Sequence, residues 1–164
     1  MSRAMSAAVD LPADVETVFA VLTSAAWPQA LDQQLHDGSR LVSAVGTPGG
    51  GTTVRTSRSL PEGVPGYLKR FTPADGRVTQ TDTWGAAVAG VRTGTWAVTF
   101  PGSPGVIGGS TTIAPGPTGC RWTVTGTVSI RLPVVGGRVE GFLAPLLEKL
   151  VRRQGEVLRA QLPG

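Results

Sequence analysis

The sequence predicts an α+β domain: a curved antiparallel β-sheet of six to seven strands, two short helices, and a long C-terminal helix over the concave face. Three observations predict it. Residues 38–131 carry apolar side chains at a period of two, punctuated by Gly- and Pro-rich turns. Residues 137–161 switch to a helical period, and a helix of that length spans about 37 Å, enough to cross a curved sheet. Charged residues make up only 16% of the chain while Gly occupies 23 positions and Pro 13, which suits a turn-rich β fold better than a helical bundle. At 164 residues the chain reads as a single domain over 1–164, able to bury roughly 70% of its unfolded surface.

Residues 4–11, AMSAAVDL, read as a first strand. PADVETVFAVL follows as a short helix, with Pro12 at its start, Asp14 and Glu16 in its first turn, and Val15, Val18, Phe19 and Leu22 on one face. Ser24 is expected to cap a second short helix, AAWPQALDQQL, where Trp27, Leu31 and Leu35 share a face and Pro28 is tolerated in the first turn. Further strands are predicted at 39–46, 51–60, 77–85, 91–100, 106–114 and 120–131, joined by TPGGG, PADG, PGSPG and PGPTG. PEGVPGYLKRF, between Pro61 and Phe71, is irregular with room for one helical turn.

Alternation assigns the faces. Cys120, Trp122, Val124, Gly126, Val128 and Ile130 share one side of the last strand, against Arg121, Thr123, Thr125, Thr127, Ser129 and Arg131. Trp96, Val98 and Phe100 oppose Thr93, Thr95 and Thr99, while Val78, Gln80, Asp82 and Trp84 oppose Thr79, Thr81 and Thr83. The sheet therefore has a wet threonine face and an inner tryptophan face. Pro133 ends the pairing, and Gly136–Gly137 turn the chain into the long helix. Its stripe of Val139, Phe142, Leu143, Leu146, Leu147, Leu150, Val151, Val157 and Leu158 must cover the tryptophan face, with a kink expected at Pro145.

Composition excludes several classes of function. The net charge of +4 comes from scattered arginines, with no aromatic-studded basic run, so nucleic acid is not an expected partner. Cys120 is the sole cysteine and His36 the sole histidine, which removes intramolecular disulfides and any Cys/His metal cluster; no cofactor or metal is expected. MSRAMSAAVDLPADVE lacks a signal-peptide apolar core and no 18-residue apolar run occurs, so integral membrane association is not expected and a cytoplasmic location is.

Few residues suggest chemistry. His36 reads as a surface or helix-capping residue and Cys120 as a buried, inert thiol, so no catalytic residue is assigned. Asp82 points inward and needs a partner. With the hairpin centred near Val88, Trp84 faces Arg92 and Asp82 lies diagonal to it, so an Asp82–Arg92 pair is expected, either structural or orienting a polar headgroup. Trp84, Trp96 and Trp122 lie among Gly94, Ala97, Gly108, Gly109 and Gly126, a mix of large rings and glycines that leaves space; Trp27, on its short helix, is expected to sit apart. Candidate ligand contacts are Val78, Gln80, Asp82, Trp84, Arg92, Trp96, Val98, Phe100, Trp122 and Val124 from the sheet, with Phe142, Leu143, Leu146 and Leu150 from the helix.

Strand, two short helices, six strands and a long C-terminal helix is the helix-grip order, and it resembles the START-like superfamily, also called SRPBCC or Bet v 1-like. More narrowly, LPADVETVFAVL, VTQTDTW, RTGTWAVTFPGSPGVIGGSTTI and GCRWTVTGTVSIRLPVVGGRVEG resemble DUF2505, an uncharacterised bacterial family of that superfamily, across almost the whole chain. RWTVTG…V…LPVVGGRVE is the most specific stretch. The resemblance brings no agreed catalytic residues; it implies a sheet gripping the helix around a hydrophobic cavity. The expected function is binding of an apolar or amphipathic small molecule, lipid-like or aromatic, in that cavity. The alternatives are a polyketide cyclase- or aromatase-like enzyme in which Asp82, Arg92 or Gln80 assists, and a protein-interaction module with a filled core.

Overall fold

The alternation read from the sequence resolves into one sheet. A computed structural model describes residues 2–60, 66, 72–99 and 102–163. The chain runs β1 (Arg3–Leu11), α1 (Val15–Leu22), α2 (Ala26–Leu35), β2 (Arg40–Thr47), β3 (Gly51–Ser59), β4 (Arg77–Trp84), β5 (Arg92–Thr99), β6 (Gly105–Gly116), β7 (Gly119–Ile130) and α3 (Gly136–Gln161). The seven strands pair antiparallel throughout, in the order β1-β7-β6-β5-β4-β3-β2. The irregular segment expected before β4 lies outside the described residues except for Gly66, as does Phe100.

Each predicted element appears within a few residues of its expected bounds, and the helix starts show why. Asp14 is the N-cap of α1, one position ahead of the first turn expected for it, and its Oδ1 accepts from Thr17 N at 2.8 Å. Ser24 does not cap α2. Its hydroxyl donates back to the Val21 carbonyl at 2.7 Å, and α2 begins at Ala26 with no side-chain cap. His36 ends α2 in the left-handed region (φ 52°), its N–H bonded to the Asp32 carbonyl at 2.9 Å, matching the capping role read for it.

The core lies between the concave face and α3. From the sheet come Met5, Val9, Trp96, Ile113, Trp122, Val124 and Val128, and from the helix Val139, Ala144, Val151, Val157 and Leu158, all buried. Apolar burial of this kind stabilises by roughly 25 cal/mol per Å². α3 packs on β1 and β7, runs as one helix through the exposed Pro145, and ties itself to the β1 edge. Glu148 Oε2 accepts from Ser6 N at 2.8 Å, and Arg159 donates to the Asp10 carbonyl at 2.9 and 3.2 Å. Those bonds occupy backbone groups that an edge strand would otherwise present to another chain. Glu140, buried on the same helix, accepts from Ile130 N at 2.8 Å where β7 ends.

The β4–β5 hairpin departs from its expected register. Val88 and Val91 close a tight turn over Ala89 (φ 53°) and Gly90 (φ 78°). Two central residues at positive φ give the twist that suits a hairpin. Trp84 therefore faces Gly94 rather than Arg92, and Asp82 faces Trp96.

Candidate functional site

The register shift separates Arg92 from Asp82. Arg92 holds both Glu16 oxygens at 2.9 Å, donates to the Gly50 and Gly85 carbonyls at 2.9 Å each, and stacks 3.9 Å from the Phe19 ring centre. It clamps α1 to the β4–β5 end of the sheet and lines neither chamber of the cavity described below. The expected Asp82–Arg92 pair does not form.

Asp82 has other partners. Both its oxygens accept from Gln80 Nε2, at 3.1 and 3.2 Å, and Gln80 Oε1 in turn accepts from Arg58 Nη1. Arg58 is 9% exposed. Burial pushes the Asp82 carboxyl up to about 6, opposed by the Gln80 hydrogen bond and the Arg58 charge. Burial also weighs against the charge on Arg58, with Asp82 and Asp37 opposing it. The result is a carboxyl–carboxamide–guanidinium row across β3 and β4, poised to change protonation close to neutral pH.

This row stands where two chambers meet. The larger, about 720 Å³, is lined by Val78, Val98, Ile107, Ile130, Phe142, Leu143 and Leu146, with His36, Asp37, Ser103, Lys149 and Arg153 among its polar neighbours. The smaller, about 70 Å³, is lined by Trp27, Trp84, Trp96 and Trp122, with Gln80, Asp82, Val124 and Gln154 also in its wall. Arg58, Leu147 and Leu150 line both. A helix of 26 residues is about 39 Å long, so its two halves face different ends of the sheet. Phe142, Leu143 and Leu146 consequently face the large chamber and not the tryptophans they were expected to approach; Leu150, expected there as well, does face the tryptophans, together with Leu147 and Val151 of the same stripe and Gln154.

The rings are fixed more firmly than their glycine neighbours suggested. Trp96 pairs with Gly109, Gly109 with Gly126, and the Trp96 indole N–H donates to the Thr125 carbonyl at 3.0 Å. A Cβ on Gly126 would stand 2.7 Å from Trp96 Cζ2. The glycine track thus holds the indole itself, and the free volume lies beyond it. Trp122 donates to Thr111 Oγ1 at 3.0 Å, and Trp84 meets Phe19 edge-on at 5.7 Å. Cys120 is fully buried, and burial raises its thiol pKa and disfavours the thiolate.

Several wall residues were missed. Arg58 shares its parity on β3 with the buried Val54, which was legible. Gln154 is a buried polar residue on the α3 stripe, three beyond Val151 and three before Val157. Trp27, expected to sit apart, shares a face with Leu31 and closes the small chamber.

A family model described as "Protein of unknown function (DUF2505)" matches residues 6–162. This chain belongs to the DUF2505 family. Curated relatives include uncharacterized proteins of Mycobacterium tuberculosis and Mycobacterium bovis, each 29% identical over 90 residues, 54% of this chain and 52% of theirs. The chain thus spans about half the length of the curated relatives it matches. Among solved structures, this DUF2505 protein is similar to norcoclaurine synthase from Thalictrum flavum, in complex with dopamine and hydroxybenzaldehyde (TM-score 0.59, 12% identity, 100% of this chain and 90% of that one). It is similar also to the di-domain ARO/CYC StfQ from the steffimycin biosynthetic pathway (0.65, 15%, 98% and 50%) and to human STARD10 (0.53, 14%, 96% and 62%). These likenesses establish the helix-grip fold.

Proposed function

We propose that this DUF2505 protein binds an apolar or amphipathic small molecule between the sheet and α3. The observation that carries the reading is the 720 Å³ chamber, walled mainly by Val, Ile, Leu and Phe side chains that do not fill it. A close-packed interior leaves few voids larger than a water molecule, and small-molecule sites fall at about 300–1,000 Å³. The small tryptophan chamber beside it supplies a reporter. Sterols, flat aromatics or medium-chain fatty acids are expected to change tryptophan emission saturably, with dissociation constants near micromolar, about −8 kcal/mol. Leu146→Trp should weaken that response at least tenfold by filling the large chamber without adding charge. If no such probe alters the emission of the wild-type protein, the binding reading falls.

One observation favours catalysis as a second reading: the Asp82 carboxyl, raised to about 6 by burial, stands in the cavity wall where it could exchange a proton with a bound molecule. A cyclase-like enzyme working this way should lose about a hundredfold or more in rate on Asp82→Asn. A turnover that survives the substitution would assign Asp82 to structure alone.

A further inference from the structure

Gln154 is 8% exposed, lies on the buried stripe of α3, and faces the tryptophan chamber, yet its carboxamide has no hydrogen-bond partner among the described residues. Among the described residues Asp37 Oδ2 and Ser39 Oγ are the side-chain atoms shut away without a partner, so the Gln154 carboxamide keeps contact with the space of the chamber and is free to bind what enters it. Leucine would fill the same position in the stripe but would offer the chamber no donor or acceptor. Asp82 lines the same chamber, and each of its oxygens takes only the shared Gln80 N–H, which leaves lone pairs free. The two side chains therefore offer complementary unused capacity: Asp82 accepts, and the Gln154 carboxamide donates as well as accepts.

Charge narrows what can meet them. Arg58 and Asp82 are tied through Gln80 and offset one another, with Asp37 adding a further negative charge near Arg58. Asp82 and Arg58 both line the tryptophan chamber, so a carboxylate would meet the buried Asp82 and an ammonium the buried guanidinium, and a neutral group is favoured. A hydroxyl fits: its O–H donates to Asp82 and its oxygen accepts from Gln154 Nε2. We infer that the tryptophan chamber is a subsite for the hydroxyl-bearing end of the ligand, alcohol or phenol, held between Asp82 and Gln154 while the apolar remainder occupies the large chamber. This inference rests on the proposed binding function and adds to it the polar chemistry of the ligand.

The test titrates tryptophan emission with 1-decanol, 4-hexylphenol, decyl methyl ether and decanoate. The ether keeps the acceptor oxygen and the chain but lacks the proton. Wild-type protein should bind at least one of the two hydroxyl probes about tenfold tighter than both the ether and decanoate, and which one it prefers distinguishes alcohol from phenol. Gln154→Leu should erase the preference over the ether to within about twofold while ether affinity stays within about threefold. The same variant should melt within roughly 2–4 °C of the wild type, because the stripe stays apolar and no hydrogen-bonded group has been removed. A Gln154 that served only packing would give a lower melting temperature and an unchanged preference, which overturns the inference. Equal affinity for hydroxyl probes and ether, as expected if the two side chains hold only water, overturns it too, as does tighter binding of decanoate. In all three cases binding itself survives; failure of every probe would instead remove the cavity function on which the inference depends.

Discussion

Gly126→Val is expected to destabilise the protein by about 3 kcal/mol, lowering its melting temperature by roughly 6–12 °C. Gly126 sits in the middle of β7, paired with Gly109 on β6 and Met5 on β1. A Cβ there would lie 2.4 Å from the Gly108 carbonyl oxygen and 2.7 Å from Trp96 Cζ2. The first neighbour is backbone in a paired strand and cannot move without breaking the ladder. The second is an indole whose N–H is already bonded to the Thr125 carbonyl. Overpacking therefore falls on the sheet and on the ring at once. Gly137→Ala is the matched control: no atom stands within 4 Å of the added carbon, and the position lies in the first turn of α3. Alanine there should stabilise by up to about 1 kcal/mol. Thermal unfolding of the two variants checks both signs, and a Gly126→Val protein as stable as wild type would refute the packing described around Trp96.

The second large effect belongs to Arg58 and Asp82. Arg58→Met removes the nearest positive charge from a buried carboxyl and should cost about 3–5 kcal/mol at pH 7–8. Arg58→Met with Asp82→Leu should recover most of that loss, because no unpaired charge stays behind. The pH dependence has a definite sign. Asp82 is raised from 3.8 to about 6 in the folded chain. Between those values the folded state holds a proton that the unfolded state has released. The stability this group contributes is complete below about pH 4, is lost as pH rises through about 6, and stays lost above about 7. A shift of that size corresponds to about 3 kcal/mol across the window. Asp82→Asn, which still accepts a hydrogen bond from Gln80, should flatten the slope, so its stability relative to wild type grows from pH 4 to pH 7. Chemical denaturation across that range measures it, and parallel curves for the two proteins would place Asp82 in water.

The parts of the fold that were legible in the sequence are those set by local periodicity. Alternation in TWAVTF and CRWTVTGTVSI placed Trp96 and Trp122 on one face because successive strand side chains must point to opposite sides, whatever the partner strand. The i, i+3, i+4 stripe from Val139 to Leu158 specified a helix with one buried face, and only a concave sheet was large enough to receive it. Register and depth were decided in three dimensions. A one-residue error in the centre of the β4–β5 turn displaced Arg92 by two positions, exchanging a predicted cavity pair for a clamp on Glu16. Arg58 became the charge beside Asp82 because β3 pairs with β4 in a register that sets it opposite Val78, a relation carried by strands some twenty residues apart. The division of the cavity likewise depends on how far α3 travels along the sheet, which no single segment encodes. Periodicity is a property of neighbours in the chain and survives in the sequence; the partnership of Asp82 with Gln80 and Arg58, and the unpaired carboxamide of Gln154, arise only when distant segments close around the same space.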